Sequence, residues 1–168
     1  MERLTCLLHM RHYENFLVYS LEDTAKNTLL YPFHAKHMCL SSKDFNTSKG
    51  QYQPYQTKIF VENVEKCGAD VFPLIILIYI DDFAKFRTNQ SSTCGIYCTF
   101  MNYDGEFLRS LQSIHLLGFA KTALEFWTAV GHIMDEMKLL DGKIIEIVDG
   151  VTGELRKYQI IVGGFLWD

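Results

Sequence analysis

The sequence has no apolar run long enough to cross a bilayer. Its longest, Val71 to Ile80, falls well short of the roughly 20 residues a membrane helix needs, and it ends in acids rather than basic anchors. No membrane partner is expected. The opening "MERLTCLLHMRHYENF" lacks a charged, apolar and small-residue cleavage pattern, so no secretory signal is expected. An excess of positive charge is lacking too: the net charge is -4 and the pI near 5.8, which excludes a general electrostatic footprint for nucleic acid. Any contact with DNA must be local or come from elements missing from this chain.

The cysteines Cys6, Cys39, Cys67, Cys94 and Cys98 are odd in number and irregularly spaced, which excludes a simple disulfide framework and points to reduced thiols in an intracellular protein. Cys94 and Cys98 on one strand would stand about 13 Å apart, too far to chelate one ion. No GxGxxG or P-loop lysine accompanies Gly163-Gly164, which reads as a bulge or a close backbone approach. The aromatic residues are not interleaved with Lys or Arg as a base-stacking surface would require, so they are assigned to the core. Repeats and low-complexity tracts are absent.

What is present suits one globular domain: 168 residues, 48% hydrophobic and 21% charged. Residues 1–70 read as a helical or irregular appendage. Leu4, Leu7, Leu8, Phe16, Leu17 and Leu21 are its inward faces, and Ser41 to Tyr55 is a polar surface loop. Residues 71–168 read as the core. Residues 73–80 have the β-branched, continuous apolar character of a strand covered on both faces. "IYCTFMNY" (96–103) and "LQSIHLLGFA" (111–120) follow as strands two and three. Thr122 with Glu125 forms a capping box for a helix whose inward residues are Phe126, Trp127, Val130, Ile133, Met134, Met137 and Leu140. Asp141-Gly142 stops it, and a strand hairpin turns at "DGVTG". The fold class is therefore α/β (α+β): a three-stranded antiparallel meander, a helix and a further strand hairpin.

Chemistry is concentrated in "PLIILIYIDDFAKF", where the apolar strand runs into Asp81 and Asp82. The tetrapeptide Tyr-Ile-Asp-Asp has the form of a reverse-transcriptase palm, whose two carboxylates hold divalent metals in a tight hairpin. The polar stretch from Ala84 to Cys94 and the absence of an upstream third acid disagree with that pattern. Strand order suggests instead the first half of an RNase H-like fold, in which acids on the first and fourth strands stand side by side. Two Mg²⁺ ions roughly 4 Å apart require hard carboxylate oxygens converging from neighbouring strands. Asp81 and Asp168 are placed for that, with Asp82 as the less certain partner.

The segments "LIILIYIDDF", "GIYCTFMNYDGEFLRSLQSIHLLGFAK" and "GELRKYQIIVGGFLWD" resemble a group of uncharacterised transposon-derived, transposase-like proteins of animal genomes, over roughly residues 45 to 168. The resemblance implies an RNase H-like nuclease ancestry, Mg²⁺ or Mn²⁺ as cofactor, DNA as partner, and Asp81 and Asp168 as the matching acids. Departures are visible: "RTNQSSTCG" replaces an Asn-Pro-Leu-Gly loop, and "YDGEFLR" replaces the "LPxxYR" turn. The third acid of the resembling proteins falls beyond residue 168, so the chain is not expected to be an active nuclease by itself. A non-catalytic interaction module on the same fold is the competing class. An incomplete sheet would leave apolar surface around Ile160 to Trp167 for a second copy or a partner chain.

Plainer readings stand beside these. Two acids closing a strand are commonly a solvated strand end, and a terminal Asp168 is prone to fraying. His34, His37 and Cys39 in "HAKHMC", with Cys67, could form a zinc site, but no second paired motif supports it. His115 reads as a hydrogen-bonded histidine of the sheet.

Overall fold

The computed structural model describes residues 11–12, 16–40, 62–63, 65–68, 70–84, 92–120 and 123–167. Its centre is the strand Val71–Ala84 (β3), which joins antiparallel Ser92–Phe100 (β4) along one edge and parallel Leu155–Trp167 (β7) along the other. His115–Ala120 (β5) continues the antiparallel meander beyond β4, and Ile144–Val148 (β6) flanks β7. Two short strands, Arg11–His12 (β1) and Phe16–Val18 (β2), extend the sheet past β5, giving the order β1-β2-β5-β4-β3-β7-β6. The protein is thus a mixed α+β fold.

Alternation along β3 explains the layers. Leu74, Ile76, Ile78 and Ile80 are buried on the face that also receives Phe126, Ile133 and Met137 from the helix Ala123–Leu140 (α3). Ile75 is buried on the other face, in a smaller cluster with Met101. The inward residues of α3 recur every three or four positions, as the sequence led us to expect, with one correction: Trp127 is exposed, because it is one residue round the helix from Phe126. Gly142, at φ 77°, takes the left-handed conformation that ends α3. Thr122, the expected cap, lies outside the described residues.

Two further boundaries differ from expectation. β4 ends at Phe100 rather than Tyr103, and residues 107–113 form two 3-10 turns, so β5 begins only at His115. The fully buried Asn102 side chain takes over where β4 stops. Its oxygen accepts from Ile75 N at 2.9 Å and its nitrogen donates to Pro73 O at 2.8 Å and Cys39 O at 3.3 Å. A carboxamide thereby substitutes for a strand backbone beside the one residue of β3 that has no N–H. Gly163 is skipped in the β3–β7 register as the expected bulge; a side chain there would collide with Ile75 and crowd the Ile76 carbonyl.

The described N-terminal residues do not form the separate helical appendage read from the sequence. β2 pairs with β5, and the helix Leu21–Leu30 (α1) buries Leu21, Ala25 and Leu29 in the main core. Strands of two and three residues have no readable period. The expected loop from Ser41 to Tyr55 lies outside the described residues.

The N-terminus of α1 is held by α3. Glu136 accepts from Ser20 Oγ at 2.7 Å, Leu21 N at 3.0 Å and Glu22 N at 3.3 Å, so one carboxylate satisfies two backbone donors the helix cannot satisfy itself. At the other end of α1, Gly150 in the β6–β7 turn donates to Leu29 O at 3.0 Å, and a Cβ there would strike the Leu30 carbonyl. Glu136→Ala should therefore cost about 2–3 kcal/mol, a fall of roughly 5–10 °C in thermal midpoint. Asp135→Ala, which removes an exposed pair with Lys138, should cost less than about 0.5 kcal/mol. Equal losses in thermal melts would refute this account of α1.

Candidate functional site

Asp81 is the first exposed residue of β3 after the buried run. It shares the sheet face of Ile75, Leu77 and Tyr79 and lies opposite Gly95 of β4. Tyr79 and Tyr97, directly paired across the two strands, stack at 5.2 Å with planes 19° apart. The Tyr97 phenol lies over Gly95, where any Cβ would collide with it, so glycine is what allows the tyrosine to approach the Asp81 carboxylate. Burial and then the Asp81 charge push the Tyr97 phenol up. Tyr79 is pushed up to about 12, by burial first and then by Tyr97, Cys98 and Asp81. Both phenols remain protonated beside the carboxylate at neutral pH.

The other acids are placed less fully. The backbone of Asp82 pairs with Cys94; its side chain lies outside the described residues, as does all of Asp168. The residue before Asp168, Trp167, is in parallel register with Ile80, the residue before Asp81. The two strands run the same way, so their carboxyl ends arrive together. Among the described residues, no three His, Cys, Asp or Glu side chains form a group able to hold a metal ion.

The polymerase-palm reading requires both acids at the apex of a tight hairpin. Instead they lie inside the β3–β4 ladder, which continues to Ala84 opposite Ser92. That geometry differs from the tight hairpin of the palm.

A second polar constellation lies at the opposite end of the same ladder. Tyr103, fully buried, has its hydroxyl 3.0 Å from His34 Nδ1 and 3.0 Å from His115 Nε2. His34 belongs to the short helix Pro32–Ala35 (α2). Backbone bonds from Cys39 N to Asn102 O at 2.7 Å and from Asp104 N to His37 O at 2.9 Å tie the segment after α2 to the loop carrying Tyr103. Next to it, His37 Nδ1 meets Asp104 Oδ2 at 2.7 Å, with its ring stacked on Phe107 at 4.3 Å. The zinc grouping considered from "HAKHMC" is not assembled: His34 turns to Tyr103 and His37 to Asp104, while the Cys67 thiol bonds Gln159 at 3.3 Å. His115 is hydrogen-bonded as expected, but its partners could not be read from sequence, since residues 34, 103 and 115 meet only through the tertiary fold.

No model of a known protein family matches the chain, and no curated protein is significantly similar to it.

Burial, then neighbouring His34, push His115 down to about 4; burial, then His37, also lower His34. A histidine whose folded value lies below its unfolded one leaves the unfolded chain binding more protons. The stability it supports is complete above about pH 6.5 and declines as pH falls toward 4. For His115 the loss by pH 4 should reach about 3 kcal/mol. Denaturant titrations should show that decline in the wild type and a flatter slope in His115→Gln; matching slopes between pH 6.5 and 4 would contradict it.

Proposed function

We propose that the chain is a partial RNase H-like core of a transposase-like protein. In this reading the shared end of β3 and β7 descends from a metal-dependent site for phosphodiester cleavage or strand transfer on DNA. The observation that carries the reading is the parallel pairing of β7 with β3, reached through a helix after an antiparallel meander. It brings the residues preceding Asp81 and Asp168 side by side. The β6 strand, inserted between α3 and β7, is an addition on the outer edge.

Asp81 is the first ligand, Asp168 the second and Asp82 the third, with Mg²⁺ or Mn²⁺ as the ion. In the full ancestral site, carboxylates hold the metals that activate water or a 3′-hydroxyl and stabilise the leaving oxygen. Two such ions bring four positive charges, which three carboxylates balance poorly, so Asp81, Asp168 and Asp82 by themselves hold one cation weakly. The sheet also has an open edge. β6 pairs only with Leu155–Gln159, and among the described residues no strand flanks β7 beyond that point, leaving an edge for a second copy or partner chain.

A non-catalytic interaction module on the same fold is the second reading. What favours it is that the described neighbours of the Asp81 carboxylate are the Tyr79 and Tyr97 phenols, which its charge helps to keep protonated. Calorimetric titration with Mn²⁺ separates the two. The first reading expects one site weaker than about 0.1 mM, lost at least tenfold in Asp81→Asn and unchanged in Asp135→Asn. No binding, or equal binding in all three proteins, supports the module and overturns the metal site.

A further inference from the structure

We propose that His34, Tyr103 and His115 form a binding site for a borderline first-row transition metal ion such as Cu²⁺ or Ni²⁺, distinct from the carboxylate end of β3. Three separate segments, α2, the loop after β4 and the start of β5, bring two imidazole nitrogens to the same phenol oxygen. Each nitrogen is 3.0 Å from the oxygen. Donors bound at about 2.1 Å would subtend about 90° at that spacing, whereas a tetrahedral zinc needs them roughly 3.4 Å apart. The edges therefore fit the cis positions of a tetragonal or octahedral ion better than closed tetrahedral zinc.

The surroundings suit the same chemistry. His34 and His115 ring centroids are 5.3 Å apart, and Phe33, Phe100 and Phe107 stand 5.4–5.6 Å from one or the other. Among the described residues no carboxylate bonds to the three donors; Asp104 is engaged by His37 and by Phe107 N. Burial keeps both imidazoles neutral at physiological pH, so one of the two facing nitrogens offers its lone pair directly, while the same burial pushes the Tyr103 phenol up, so that the ion itself must displace the phenol proton. His34 and His115 are both half-buried, whereas Tyr103 between them is fully enclosed.

The proton balance is explicit. Without an ion, the single phenol proton is donated to one imidazole, and the other imidazole donates its own N–H to the phenol oxygen. On binding, the ion takes the lone pairs of His34 Nδ1 and His115 Nε2. The donor ring moves its proton to its other nitrogen, and the phenol proton leaves to solvent. No electron is transferred.

The hard-ion site at Asp81 and this one ask for different metals, so neither proposal stands or falls with the other. The probe is Cu²⁺ alone, titrated into the full chain in a weakly chelating buffer that suppresses isolated surface histidines. One equivalent should bind with a visible phenolate-to-copper absorption band and with nitrogen hyperfine structure in the electron paramagnetic resonance spectrum. Tyr103→Phe should abolish the band, His34→Gln should weaken binding at least tenfold, and His132→Gln on α3 should change neither. Absence of the band from the wild type overturns the proposal even if the Tyr103 variant fails to fold. Cu²⁺ affinity unchanged in His34→Gln also overturns it, leaving the three groups as a hydrogen-bonded core stitch.

Discussion

The structure depends on β3 being paired along both edges while its side chains are covered on both faces. Leu74, Ile75, Ile76 and Ile78 are all completely buried, each contributing about 1.5–3 kcal/mol by leaving water. A strand so enclosed cannot slip: moving it by one residue would drive the Asp81 carboxylate toward the helix-covered face and Ile80 toward water. The start of the strand is fixed by the Asn102 carboxamide and its middle by the Gly163 bulge in β7. The position of Asp81 is a consequence of those constraints.

Each end of this enclosed strand carries a polar cluster. At one end a carboxylate is flanked by two protonated phenols; at the other two neutral imidazoles share one phenol. Both arrangements use tyrosines, but for opposite ends. Tyr79 and Tyr97 line the face beside an exposed acid, whereas Tyr103 is wholly enclosed and orders its neighbours through its hydroxyl. A third buried polar network closes the β6–β7 turn. There Asp149 accepts from Val151 N at 2.9 Å, Thr152 N at 2.8 Å and Arg156 at 3.2 Å. Burial opposes its charge, yet these donors hold its carboxyl below the usual value, and its role is to shape the turn that Gly150 docks on α1.

The parts of the fold that were legible in the sequence were those where a residue's role follows from its neighbours. The apolar run ending in Asp81, the stripe on α3 with its Gly142 stop, and the hairpin at residues 149–153 all carry local periodicity or turn chemistry. The Gly163-Gly164 pair announced its bulge for the same reason. What was not legible is set by distant contacts: Glu136 capping α1 across 115 residues, Asn102 standing in for a strand, and Tyr103 joining His34 to His115. Trp127 was misplaced because a sequence period fixes the helix but not the width of its buried face. The candidate acids were legible as types. Their spatial relation depends on a parallel pairing that only the tertiary fold supplies.

The central claim is that the ends of β3 and β7 share one cation. Substoichiometric Mn²⁺ added to isotopically labelled protein tests it most directly, because the paramagnetic ion broadens amide resonances according to distance. The account predicts simultaneous broadening at Asp81, at Gly95 opposite it and at Trp167 and Asp168. Broadening confined to one strand end, or centred elsewhere on the molecule, would contradict it.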